Sequence, residues 1–256
     1  MNEKCNLVTV LLLCCLIFPG NAQEFNWQDL VNRKQYAAVI AHADSLTLAD
    51  SSNYEIMNAI GQAYEGMLRY QKAYDYYRLC FSMDTTNLDI LNILARTATN
   101  LGRAEDAERY FHQVLSADSS NFYANYQLAR LYFQLGEYEK AVDAYEKLQA
   151  QNEDNTVLYR AIGDCYTRME QYPSATTAYF QAYNLNRENA GLEVALVNSL
   201  YRMGASSPDY ISEGIAICDT ALFYNPGNRQ LLRSKGLGLY TVKQFVQADS
   251  VYSSLL

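Results

Sequence analysis

The chain is poor in the residues that build active sites. It has two histidines, one tryptophan and four prolines in 256 residues. His42 and His112 each lack a second histidine at metal-binding spacing, which excludes a paired-histidine metal site. No glycine-rich phosphate loop, strand–glycine–helix fingerprint or nucleophile elbow occurs. Acidic pairs such as Glu105 and Asp106 fall on exposed helix faces. These absences point away from an enzyme, and no cofactor or metal is expected. Basic charge is also short. Twenty Lys and Arg oppose 28 Asp and Glu, a net charge of −8. That balance argues against non-specific nucleic-acid binding.

Cysteine is scarce once the first segment is set aside. Cys80, Cys165 and Cys218 are odd in number and separated by 85 and 53 residues. Such spacings fit no compact disulfide framework or metal site and read as small buried packing residues. Pro173, Pro208 and Pro226 are the only prolines past residue 22, so long uninterrupted helices are allowed.

The one long apolar run is at the start. Lys4 supplies a short basic region. Residues 7–18 are apolar apart from Thr9, and Pro19 and Gly20 break the run. Gly20, Asn21 and Ala22 place small residues at the two positions that a signal peptidase reads. This is the pattern of a secretory signal at 1–22, cleaved after Ala22. The run is short of the ~20 residues needed to span a bilayer. Leu13 and Cys14, which precede the candidate lipid-carrying cysteines Cys14 and Cys15, are not the small residue that lipidation requires, so a lipoprotein is not expected. The expected location is periplasmic or secreted, with no transmembrane span after cleavage.

What is abundant is a period. Asparagine recurs at 53, 87, 121, 155 and 189, each step 34 residues, and then at 228 after a step of 39. When each unit starts one residue later, the eighth places hold Gly61, Ala95, Ala129, Gly163, Val197 and Gly236. The eleventh places hold Tyr64, Ala98, Tyr132, Tyr166, Leu200 and Leu239. The twentieth places hold Ala73, Ala107, Ala141, Ala175 and Ala248. Four residues further come Tyr77, Phe111, Tyr145, Tyr179 and Tyr252. Apolar places three and four apart form the stripe of an amphipathic helix. Small residues let the two helices of a unit approach, and the aromatics fill the space between units. A unit of this kind cannot bury its own face and gains stability by stacking on its neighbours.

This pattern closely resembles the tetratricopeptide-repeat (TPR) family, whose period is 34 residues. Leu135-Gly136-Glu137-Tyr138-Glu139-Lys140-Ala141 matches it almost letter for letter. The resemblance implies an all-α fold, a right-handed superhelical solenoid of antiparallel helix pairs. The expected units are a degenerate N-terminal cap at 23–53, regular repeats at 54–87, 88–121, 122–155 and 156–189, a repeat with a five-residue insertion at 190–228, and a terminal repeat at 229–256. The insertion near Ala205 to Asp209 is either a working edge or a tolerated loop. No polar capping helix follows the last unit, so Phe245, Tyr252, Leu255 and Leu256 are expected to be partly uncovered. That end could belong to a longer sensor or assembly protein, or dock onto a partner or its own copy.

In this family the concave groove is lined by the first helix of each unit, chiefly at places two, five, nine, twelve and thirteen. From Arg96 onward these places include the candidate partner-binding residues Arg96, Tyr126, Arg130, Phe133, Arg160, Asp164, Arg168, Asn198, Tyr201, Arg202, Arg233 and Tyr240, with Thr99 and Tyr123 between them. Six are arginine and one is a carboxylate, on a protein of net charge −8. Arginine grips carboxylates bidentately and aromatic rings cover apolar parts of a ligand. The resemblance therefore implies a non-catalytic scaffold that binds a protein or peptide partner, acidic in character. Two alternatives stand beside it. The arginines pair only with helix-surface acids, or the rings of Tyr126, Phe133, Tyr201 and Tyr240 stack on an envelope carbohydrate. Chaperone-binding members of the family use a Lys/Asn/Arg set, but this groove has no lysine, and that specificity is not implied.

Overall fold

A computed structural model of the chain describes residues 26–43, 53–152, 155–186 and 190–255. The expected signal at 1–22 and Leu256 lie outside the described residues. The described residues contain fourteen helices and no strand. The chain divides into two compact units, residues 1–101 and 102–256.

The first unit contains α1 (Trp27–Asn32), α2 (Tyr36–Ala43), α3 (Tyr54–Gly66), α4 (Tyr70–Met83) and α5 (Leu88–Asn100). Each helix packs on the next, and α1 also touches α3. The second unit contains α6 (Ala104–Ala117), α7 (Phe122–Leu135), α8 (Tyr138–Gln149), α9 (Thr156–Arg168), α10 (Tyr172–Leu185), α11 (Ala190–Met203), α12 (Asp209–Tyr224), α13 (Arg229–Thr241) and α14 (Phe245–Ser253). Consecutive packing holds throughout this unit, and α11 also packs on α13. The fold is all-α, built from helices packed in consecutive pairs.

The recurrent asparagine has a local cause. Its side-chain oxygen accepts from backbone N–H groups of the helix that it starts. Asn53 Oδ1 takes Ile56 N, Asn87 takes Asp89 N and Ile90 N, Asn121 takes Ala124 N, Asn155 takes Val157 N and Leu158 N, and Asn228 takes Gln230 N and Leu231 N. Asparagine is among the best N-caps, each worth ~1 kcal/mol over alanine, so the cap recurs at the start of these five helices.

The turn within each pair also repeats. Lys34, Leu68, Gly102, Gly136, Glu170 and Lys243 all have φ between 58° and 80°. A left-handed residue ends one helix and reverses the chain. Only Gly102 and Gly136 adopt it without a side-chain penalty.

The eighth-place glycines meet the twenty-fourth-place tyrosines across each pair. A methyl built on Gly61 would stand 2.6 Å from the Tyr77 ring, on Gly163 2.6 Å from Tyr179, and on Gly236 2.7 Å from Tyr252. Glycine is needed because the ring occupies the space a Cβ would take. The inserted unit inverts this arrangement. There Gly214 lies on the second helix, and Tyr201 of the first helix packs over it and over Gly238. Residues 204–208 form the connection between α11 and α12. Around this unit Leu192, Leu196, Val197, Leu200, Ile217, Cys218 and Leu231 form one buried cluster with Tyr179.

Cys80, Cys165 and Cys218 are free and buried. Burial pushes their thiols up to about 11, 12 and 12 respectively. That removes thiolate reactivity near neutral pH and leaves them as packing residues. His112 lies on the surface of α6, its Nε2 3.7 Å from Glu108. His42 packs edge-on against Trp27.

Candidate groove-binding site

Nine of the twelve groove residues expected from sequence converge on two neighbouring concavities of the second unit. The smaller, about 470 Å³, is lined by Tyr126, Arg130, Phe133, Arg160 and Asp164, with Gln134, Tyr145, Val157 and Ala161. The larger, about 790 Å³, is lined by Arg168, Asn198, Tyr201 and Arg202, with Thr167, Tyr172, Tyr179, Ser199 and Thr241 among its other walls. Two contacts join the compartments. The Arg168 guanidinium of the larger one lies 5.8 Å over the Phe133 ring of the smaller. Tyr179 Oη donates to Asp164 Oδ1 at 2.7 Å and shares a 3.1 Å hydrogen bond with Thr167 Oγ1. Burial pushes the Tyr179 hydroxyl well above its ordinary pKa. It stays protonated and donates to Asp164 at every physiological pH.

The arginines are held without being neutralised. Arg130, Arg160, Arg168, Arg202 and Arg233 form no ion pair among the described residues. Arg168 rests on Phe133, and Arg202 lies 5.9 Å over Tyr172. A guanidinium stacked by its face keeps its N–H edge available for a carboxylate. Both also sit in the last turn of their helices, where the backbone dipole favours a cation.

Three of the twelve residues lie elsewhere. Arg96 is in the first unit, where its Nη2 meets Glu65 Oε1 at 2.8 Å and Oε2 at 3.0 Å. Here the arginine does pair with a surface acid. Arg233 and Tyr240 line neither compartment, and the Tyr240 ring instead packs edge-on against Phe245 at 5.3 Å.

The four rings considered as stacking platforms are all engaged with the protein. Tyr126 stacks on Phe122 and meets Tyr145 edge-on. Phe133 carries Arg168 and packs against Tyr138. Tyr201 is packed over two glycines, and its hydroxyl donates to Ser234 O at 3.0 Å. The residues that sequence reasoning left out are the supporting ones. Tyr172 carries Arg202, and Tyr179 holds Asp164. Tyr179 was legible as a twenty-fourth-place core residue, but that place carries no sign that its hydroxyl reaches the groove.

At the far end of the second unit Phe245 and Tyr252 are exposed and Leu255 half-buried, with Val246 the most open at 86%. No described helix is long and apolar enough to cross a membrane.

These features define a helix-pair repeat protein with two neighbouring concavities in its second unit. Tetratricopeptide-repeat family models match residues 54–87 and 101–165, so the chain carries tetratricopeptide repeats. No curated protein sequence matches it. Among solved structures it is similar to a tetratricopeptide repeat protein from Parabacteroides merdae, with a TM-score of 0.64, 16% identity, and 79% of this chain and 78% of that chain covered. It is also similar to the C-terminal part of a TPR repeat-containing protein from Cytophaga hutchinsonii, with a TM-score of 0.73, 14% identity, and 90% and 93% covered. A third is YrrB, described as a TPR protein with an unusual peptide-binding site, with a TM-score of 0.57, 18% identity, and 66% and 86% covered. The repeats mark the chain as a protein–protein interaction scaffold, a fold that is typically non-catalytic.

Proposed function

We propose that this chain is an extracytoplasmic, non-catalytic adaptor that holds an acidic peptide segment of a protein partner in the groove of its second unit. One observation carries the reading. Four arginines line two joined compartments, two of them stacked on aromatic rings, and none has an ion pair among the described residues. Positive charge held open on rigid helices of an acidic protein favours an anionic ligand and discourages binding to the protein's own surface. The apolar walls, Val157 and Tyr126 in one compartment and Tyr172 in the other, suit a peptide better than a bare ion. The apolar run and small-residue site at 1–22 support export.

The test is an array of acidic peptides incubated with the full-length gene product and with an Arg130→Glu/Arg202→Glu variant. The expected result is capture by the wild type that fades at high salt and is lost in a variant of unchanged circular dichroism. Equal capture by both proteins would overturn the groove assignment. Cell fractionation with mass spectrometry of the mature N-terminus tests the location, and an intact residue 1 in the cytosolic fraction would overturn it.

A further inference from the structure

The two-compartment groove carries more than positive charge. Arg160, Asp164 and Arg168 stand at i, i+4 and i+8 on α9, so they form one stripe along a single helix face. Its signs run positive, negative, positive. Such spacing normally closes into ion pairs on the helix surface. Here it does not, because each neighbour holds its charge away. Tyr179 Oη occupies Asp164 Oδ1 at 2.7 Å, and the Phe133 face takes the Arg168 guanidinium. Asp164 and both arginines are without ion pairs among the described residues. The neutral tyrosine donor leaves the aspartate its full charge, in the middle of the arginines.

We infer that the groove selects a mixed-charge peptide, acidic–x–basic–x–acidic in extended conformation, and not a uniformly acidic one. This rests on the peptide-groove reading above and specifies its ligand. The argument is one of register. Four residues of helix advance ~6 Å. Alternate residues of an extended strand point to the same side and advance ~6.6 Å. Two such steps carry the stripe ~12 Å along α9 and a peptide ~13 Å, so three successive same-side ligand side chains meet the three charges in turn. The ligand's acids face Arg160 and Arg168, and its central basic residue faces Asp164. A third acid in the centre would face the Asp164 carboxylate at close range, a like-charge contact that specific interfaces use to reject wrong partners.

The test uses three labelled peptides and fluorescence anisotropy on the full-length gene product at low salt. The peptides are Gly-Asp-Ser-Lys-Ser-Asp-Gly, its same-composition rearrangement Gly-Asp-Lys-Asp-Ser-Ser-Gly, and Gly-Asp-Ser-Asp-Ser-Asp-Gly. The alternating peptide should bind about tenfold more tightly than either of the others, the range of one close charge contact. Asp164→Asn, which still accepts from Tyr179, should erase the preference over the all-acidic peptide while the thermal melt stays unchanged. Equal or tighter binding of the all-acidic peptide overturns the inference, and so does a preference that survives Asp164→Asn. If the all-acidic peptide prevails and its binding is lost in Arg130→Glu, the acidic-groove reading stands and only the alternation fails. If none of the three binds, both fail.

Discussion

The two units carry the same repeat positions and use them oppositely. In the first unit Glu65 stands at the twelfth place and takes both Arg96, at 2.8 Å, and the Tyr77 hydroxyl, at 2.8 Å. Its inner helices also carry the Asn58 and Asn92 amide oxygens, which are buried and without a hydrogen-bond partner among the described residues. In the second unit the twelfth places hold Phe133, Thr167, Tyr201 and Tyr240. Phe133 supports Arg168 by its face, and Thr167 shares the Tyr179 hydroxyl with Asp164. One scaffold therefore yields a groove arginine that is neutralised and others that are presented. At two twelfth places the residue reaches an arginine of the next inner helix, Glu65 at Arg96 and Phe133 at Arg168, and there its type decides which. The carboxylate quenches the charge, and the ring only orients it.

The comparison is broken most severely through the glycine–tyrosine contact that both units share. Gly163→Val puts branched carbon where the Tyr179 ring lies and should cost ~3 kcal/mol, the upper range for overpacking. Gly61→Val should cost a similar amount against Tyr77. Urea unfolding measures both. They should differ in binding, since displacing Tyr179 frees Asp164 to pair with the arginines beside it, whereas displacing Tyr77 leaves the second unit's groove intact.

Phe133→Glu transplants the first unit's chemistry into the second. A carboxylate would replace the ring beneath Arg168, as Glu65 meets Arg96. Affinity for acidic peptides should fall about tenfold, ~1.4 kcal/mol. Phe133→Leu keeps an apolar support and should lose much less. Isothermal titration separates the two, and equal losses would show that Phe133 acts by packing alone.

A third difference concerns Glu193 of the second unit. It is 5% exposed, has no ion pair among the described residues, and burial raises its carboxyl above the ordinary glutamate value of 4.5. The folded state therefore holds its proton more tightly than the unfolded chain. Well below pH 4.5 both states are protonated and the group contributes nothing. As pH rises from there, the unfolded chain releases its proton first and stability is lost, until the folded carboxyl has also ionised. Glu193→Gln should remove that part of the pH slope and stabilise the protein at neutral pH by about 1 kcal/mol, the order for relieving an unpaired buried polar group. Melts at pH 4.5 and 7.5 check this, and a variant as pH-dependent as the wild type would clear Glu193 of the role.

The period of 34 was legible because it is written by local needs, a cap at Asn53, Asn87, Asn121 and Asn155 and a flat ring over Gly61 and Gly163. Places five, nine, twelve and thirteen of an inner helix share one face, and nine of the twelve residues read there line the two concavities. What could not be read was which groove residues keep their charge. Arg96 and Arg130 occupy the same ninth place, yet Arg96 pairs with Glu65 while Arg130 forms no ion pair among the described residues. Tyr201 shows the same limit from the other side. Its twelfth place marks it for the groove, yet Gly214 and Gly238 open a space that draws its ring between helices. Glycines on two other helices made that choice, and they lie thirteen and 37 residues further along the chain.

The gentlest test runs in the opposite direction and asks whether the first unit can be given a presented arginine. Glu65→Gln keeps an acceptor for Tyr77 but removes the charge opposite Arg96. The pair is partly exposed, with side-chain exposures of 43% and 19%, so its loss should cost only about 0.5 kcal/mol. The informative readout is binding. If a presented charge is what makes a groove position active, Arg96 released from Glu65 should add a second, weaker and salt-sensitive step to the titration with acidic peptides. That step should disappear in Glu65→Gln/Arg96→Gln. Without it, free charge alone would not suffice. The difference between the units would then lie in the aromatic supports, Phe133 under Arg168 and Tyr172 under Arg202, for which no ring contact is found at Arg96 among the described residues.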